Sequence, residues 1–177
     1  CPNGIDSPDA TTGPWCQNYL EGCFDPLNCA VKCNGTRQDV SSFGDDFYKL
    51  TNCYNKIVGD CTSDYPDISC WNTTGIYEMN YAFDSYYSQQ NSFNDPLECW
   101  DVGQVTKMQN MFFNNTYFNQ PIDSWDVSKV KYMNGMFNGA ISFNQPIDTW
   151  DVSQVERMGS MFSGATVSYT HLTLPTN

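Results

Sequence analysis

Histidine is almost missing from this chain: His171 is the only one among 177 residues, and it lies in a terminal stretch unlike the rest. A nucleophile–base triad of the usual kind therefore finds no base in the body of the sequence. Basic residues are scarce as well, eight against twenty acidic, and the net charge of −12 disfavours nucleic acid or an anionic membrane as partner. An acidic surface that keeps an extracellular protein soluble is the plainer reading. No run approaches the ~20 apolar residues of a membrane-spanning helix. Paired Cys-x-x-Cys motifs are absent, which argues against a structural zinc site. After residue 99 there is no cysteine at all.

The nine cysteines that are present crowd toward the amino end: Cys1, Cys16, Cys23, Cys29, Cys33, Cys53, Cys61, Cys70 and Cys99. That distribution predicts a disulfide-stapled cap in an oxidising compartment. The odd count leaves one thiol over, Cys1 or Cys99, and spacing does not fix the connectivity. Three Asn-x-Thr sequons, at Asn34, Asn72 and Asn114, agree with a secretory route and are the glycosylation candidates. Within the cap, Pro14 to Gly22 suits a short helix. Farther on, Phe47, Leu50, Tyr54 and Ile57 fit helical spacing with Gly59 as a stop. The competing reading ends that helix near Thr51 and makes Lys56 to Cys61 the first strand of a solenoid.

Beyond the cap the chain repeats itself. FNQPIDSWDVSKV (Phe118 to Val130) returns as FNQPIDTWDVSQV (Phe143 to Val155), and Phe93 to Val105 is a third copy in register. After each Trp-Asp-Val come Val105, Met108 and Met111-Phe112, then Val130, Met133 and Met136-Phe137, then Val155, Met158 and Met161-Phe162. A fainter unit, Trp71, Ile76, Met79 and Ala82-Phe83, precedes them at an offset of 29 instead of 25. Self-similarity at this period marks a solenoid whose units stack on their neighbours. Inside a unit, Ile122, Trp125 and Val127 suit a short extended segment, and the stripe from Val130 to Phe137 suits a short helix with Ser128 as its N-cap. The last unit ends near Ala165 without a polar cap, so the stack is expected to continue in a longer protein.

The stretch FNQPIDSWDVSKVKYMNGMFNGA (Phe118 to Ala140) resembles the 25-residue repeat of BspA-type leucine-rich-repeat surface proteins. The resemblance covers roughly Phe93 to Ala165, with a weaker match from Asp67. It implies a leucine-rich-repeat solenoid, which with the apolar spacing and the cysteine distribution gives an α+β fold of strand–short helix coils with a disulfide-rich N-terminal cap. It also implies a place outside the cell or on its surface, and a role in adhesion or recognition. The expected organisation is a Cys-rich cap over 1–66, about four coils over 67–166, and a foreign tail over 167–177. Val167 to Thr176 resembles the conceptual translation of a transposase-type sequencing adapter, and such segments lie outside fold reasoning. Two departures from the repeat stand out: Asp95 replaces Gln, and Cys99 precedes Trp100.

Columns of equivalent residues set the functional expectations. Trp100, Trp125 and Trp150 read as core, and so do the Met pairs, as adaptable fillers of a narrow interior. Asn94, Asn119 and Asn144 suit an inward ladder that satisfies backbone groups. Asp101, Asp126 and Asp151, beside Glu98, Asp123 and Asp148, either serve their own turns or, as the weaker candidate, hold calcium. The positions where copies disagree are the candidate ligand contacts: Lys107, Tyr132 and Arg157, and Gln104, Lys129 and Gln154. Tyr and Arg are types enriched in binding hot spots, although a solvated face explains them too. The leading expectation is a recognition module for a protein or glycan, with no cofactor and no catalytic residue. A structural wall or stalk component is the alternative, and a carboxylate-dependent hydrolase is the least favoured, since the acids recur with the period instead of converging.

Overall fold

A computed structural model describes residues 37–54, 67–85 and 93–165. The leading part places β1 (Gln38–Asp39) in parallel with β2 (Trp71–Asn72), Gln38 opposite Trp71 and Asp39 opposite Asn72. Between them a 3-10 turn, Ser41–Asp46, bends sharply at Gly44 (φ +46°) and leads into α1, Phe47–Tyr54. Phe47, Leu50, Thr51 and Cys53 are its buried residues, one face at three- and four-residue spacing. The helix thus runs past Thr51 to Tyr54. Ile57, Gly59, the Lys56 to Cys61 strand reading and the Pro14 to Gly22 helix lie outside the described residues. A second 3-10 turn, Ile68–Cys70, is capped by Asp67, whose carboxylate accepts from the Ser69 amide at 3.0 Å. Cys53, Cys70 and Cys99 are each disulfide-bonded; Cys1, Cys16, Cys23, Cys29, Cys33 and Cys61 lie outside the described residues.

From Trp71 onward the chain stacks on itself. Glu78, Lys107, Tyr132 and Arg157 form successive parallel bridges, one residue per coil. The backbone around them divides its amides. Met108, Asn110, Phe112 and Asn114 donate to the carbonyls of Tyr132, Asn134, Met136 and Asn138 in the next coil, at 2.7–2.9 Å. Met133, Gly135, Phe137 and Gly139 do the same toward Arg157, Gly159, Met161 and Ser163. The amides between them turn back on their own coil, Met111 to Met108, Phe113 to Asn110 and Asn115 to Phe112.

This is where the sequence reading of strand followed by helix gives way. An α-helix spends its interior amides on its own carbonyls four residues back. Here every second amide crosses to a neighbour, and the Val-Met-Met-Phe spacing arises from tight turns. The coils use two left-handed positions: Tyr81, Asn110, Gly135 and Ser160 share one, and from Asn114 on, Asn114, Gly139 and Gly164 share the other, with φ between 53° and 75°. A right-handed helix has no such positions, and Gly and Asn occupy most of them because they tolerate that region best. The expected strand at Ile122 to Val127 is likewise two turns, Trp125 N–H donating to Ile122 at 3.1 Å and Val130 N–H to Val127 at 2.9 Å. Ser128 caps nothing; its amide donates to Asp126.

Side chains fill the interior in columns. Trp71 and Trp100 stack at 6.1 Å and Trp100 and Trp125 at 6.5 Å. Phe83, Phe112, Phe137 and Phe162 follow at steps of 5.3, 5.5 and 5.6 Å. Phe93, Phe118 and Phe143 form a second file beside them. From Trp100 onward the indole N–H reaches back one coil: Trp100 to the Ile68 carbonyl (2.8 Å), Trp125 to Leu97 (3.2 Å) and Trp150 to Ile122 (3.1 Å). The strict Trp is therefore both core filler and inter-coil bond. Met79, Met108, Met111, Met133, Met136 and Met161 are buried, and Met158 is half-buried. At the leading end α1 closes the stack, with Phe47 edge-on to Trp71 and Trp100 and Tyr54 edge-on to Trp71. No helix among the described residues is long and apolar enough to cross a membrane.

Candidate functional site

The parallel bridges bring three of the six candidate contacts into one line and add a fourth residue to it. Lys107, Tyr132 and Arg157 stand side by side with Glu78. Beside them, one residue earlier in each coil, are Tyr77, Thr106, Lys131 and Glu156. Val105 and Met108, Val130 and Met133 point inward on either side, so the pair between them is turned outward. Lys107 donates to Glu78, and that hydrogen bond is the main reason its pKa lies above the ordinary lysine value. Tyr132 donates its hydroxyl to Glu156 at 3.1 Å, Lys131 lies 3.4 Å from the same carboxylate, and the Arg157 guanidinium sits over the Tyr132 ring at 5.8 Å. Tyr77 is 56 % exposed. Sequence reasoning missed Tyr77, Glu78 and Glu156. The first two were hidden by the offset of 29, which breaks the register of the copies; the third was visible at the position of Lys131.

Gln104, Lys129 and Gln154 are not drawn together in this way. Lys129 and Gln154 are exposed, and the Gln104 amide nitrogen is buried without a hydrogen-bond partner among the described residues.

The aspartate column has a local use. Asp101, Asp126 and Asp151 accept from the amides of Gly103, Ser128 and Ser153, at 3.0, 3.0 and 2.9 Å. For Asp151 this bond holds the carboxyl below its ordinary pKa. Asp101 also accepts from the Thr74 hydroxyl at 3.3 Å. Among the described residues no group of three or more His, Cys, Asp or Glu is placed to hold a metal ion. The calcium reading of Asp101, Asp126 and Asp151 thus gains no support, and the turn reading accounts for their carboxylates.

The asparagine ladder forms, but on the surface. Asn94 accepts from the Asn119 amide at 2.8 Å, and Asn119 accepts from the Asn144 amide at 2.9 Å. Gln120 and Gln145 reach back to the carbonyls of Asn94 and Asn119, both at 2.9 Å. Asn94, Asn119 and Asn144 are exposed. The expected inward orientation fails because the neighbouring Phe and Ile residues take the interior. Asp95, the departure from Gln, accepts from the Tyr54 hydroxyl at 3.0 Å: it faces α1, where the later coils have another coil behind them.

Of the sequons, Asn72 uses its side chain to accept from the Thr74 amide at 3.3 Å. Asn114 is exposed and left-handed, with its Oδ1 laid against Gly139. Asn34 lies outside the described residues.

Residues 50–173 match a family described as "Mycoplasma protein of unknown function, DUF285". The chain belongs to this family. The family match begins at Leu50, inside α1, takes in every coil, and runs on to Thr173. No curated protein and no solved structure matches the chain. The family description names no activity, so it is the geometry of the surface that bears on function.

Proposed function

We propose that this chain is a BspA-type leucine-rich-repeat solenoid, displayed outside the cell or on its surface, that recognises a protein partner through the face lined by Glu78, Lys107, Tyr132 and Arg157. The observation that carries the reading is the contrast within each coil. Positions facing the neighbours repeat almost unchanged, whereas this outward column carries a different residue in every coil, on backbone fixed by parallel bridges. A rigid ladder bearing Tyr, Arg, Lys and Glu in a set order offers a directional pattern of charge and aromatic surface, the kind used at the centre of protein interfaces. No catalytic role is assigned: the aspartates serve their own turns.

One observation favours the alternative, a structural component without a specific ligand. The ionic groups of the face largely satisfy one another, Lys107 with Glu78 and Glu156 with Lys131 and Tyr132. An array of extracellular proteins probed with the labelled chain and with a Tyr132→Ala/Arg157→Ala variant separates the two. Recognition predicts hits that the variant loses by tenfold or more. No hits, or hits indifferent to the variant, support the structural reading.

A further inference from the structure

The amide ladder lies on a different edge of the stack, and its side chains have groups left over. Asn94 and Asn119 each commit Oδ1 to the next coil, and Gln120 and Gln145 each commit Nε2 to the previous one. Nδ2 of Asn94, Asn119 and Asn144 and Oε1 of Gln120 and Gln145 have no partner among the described residues; the three asparagines are exposed and the two glutamines half-buried. The result is a row of donors and acceptors, held in place at Asn94, Asn119, Gln120 and Gln145 by the other half of the amide. A partner that binds there spends little on ordering side chains.

The surroundings of the row are as informative as the row. In a chain of net charge −12, no charged residue occurs from Thr116 to Ile122 or from Met133 to Ile147. Tyr117, 60 % exposed, stands two residues before Asn119; Pro121 and Pro146 are exposed beside the ladder. An exposed tyrosine face, a row of paired donors and acceptors, and no charge in the row beyond Asp95, whose carboxylate accepts from the Tyr54 hydroxyl, match the chemistry of a neutral sugar chain, with apolar C–H faces and hydroxyls along its edges. The rows advance by about 5 Å per coil, the spacing of hydrogen-bonded neighbours. An extended β-linked hexose polymer advances by a similar length per sugar.

We propose that the edge formed by Asn94, Asn119, Asn144, Gln120, Gln145 and Tyr117 binds an extended, uncharged β-1,4-linked polysaccharide running along the stack, one sugar per coil. This site is separate from the face carrying Lys107, Tyr132 and Arg157, and it stands or falls independently of it.

The test uses the full chain with insoluble cellulose and insoluble chitin, followed by titration with cellohexaose and chitohexaose while the Asn and Gln side-chain amide signals are followed by NMR. Retention on at least one polymer is expected, with shifts confined to the amides of the ladder; which polymer binds tells whether the acetamido group is read. Tyr117→Ala, at an exposed position that leaves folding intact, is expected to weaken binding about tenfold, and Arg157→Ala to leave it unchanged. Retention on neither polymer overturns the proposal. So does binding that Tyr117→Ala leaves unaltered, or shifts that fall on the opposite face.

Discussion

Helix α1 and the coils are held together by opposite means. In α1, Phe47–Tyr54, backbone hydrogen bonds stay within the helix and only side chains reach the stack. In the coils the backbone itself is shared: alternate amides from Met108 to Asn114 belong to bonds whose acceptors sit in the next coil. About half of a coil's backbone bonds are therefore shared, and its structure depends on a neighbour on each side. The helix can end a stack because it needs no backbone partner beyond itself, while its aromatic side chains cover the first Trp faces. Exposure at the other end fits this picture: Trp125 and Val127 are 3 % and 1 % exposed, and their equivalents Trp150 and Val152 are 7 % and 8 % exposed.

The largest effect should come from removing the covering side chain. Phe47→Ala takes away edge contacts to Trp71 and Trp100 together, and truncation of a buried Phe costs about 3–5 kcal/mol. Phe162→Ala, half-buried at the far end, should cost less than half as much. Urea unfolding followed by tryptophan fluorescence measures both. Equal costs would mean that the stack leans on α1 no more than on its last coil, and the comparison would fail.

Next comes the left-handed turn of the coil. At Gly139, φ is +73° and an added Cβ would stand 2.2 Å from Asn114 Oδ1. Gly139→Ala should cost roughly 1–3 kcal/mol from backbone strain alone, with the clash added. Asn114→Gly in the same chain removes the clash and keeps the turn, so the double variant should recover part of the loss. Additive effects in that cycle would show that Asn114 does not lock into Gly139.

Much of this architecture was legible in the sequence, and the part that was not has an identifiable cause. Repetition of Trp, Phe and Met marked the interior correctly, because those residues face equivalent neighbours in every coil. The local conformation did not follow from the same pattern. Apolar spacing of three and four is shared by a helix and by a chain of tight turns, and the residues that separate them, Asn110, Gly135 and Ser160, are chemically dissimilar until their common φ is seen. The line of Lys107, Tyr132 and Arg157 was legible as three variable positions. Glu78 was not, since the spacing of 29 conceals it. The asparagine ladder was legible as a ladder but not as a surface, because a hydrogen-bonding pattern in sequence does not tell which side of the backbone it occupies.

The ladder offers a milder break. Asn119→Ala deletes the acceptor for the Asn144 amide and for the Gln145 side chain, both exposed, and should cost about 1 kcal/mol. Asn119→Asp keeps an acceptor in place and should cost less. If both variants lose the same amount, it is the Asn119 Nδ2 group and not the inter-coil bond that matters for folding.

The smallest effect, and the sharpest probe of the boundary between helix and coils, is the titration of Tyr54. Its hydroxyl donates to Asp95, and burial, with the Asp95 charge and hydrogen bond added, pushes its pKa up to about 12. An unfolded tyrosine titrates near 10. The folded state thus favours the protonated phenol, so this contribution is fully present below pH ~10 and is lost as pH rises toward 12. Tyr54→Phe gives up the hydrogen bond at neutral pH but has no proton to lose. The stability difference between the two proteins, read from urea midpoints, should be small and constant up to pH 9 and should then shrink as pH approaches 12. Titration of the other tyrosines and the lysines is common to both proteins and cancels in the difference. A constant difference across that window would mean that Tyr54 is not held between α1 and the Trp100 coil, and that Asp95 departs from Gln for some other reason.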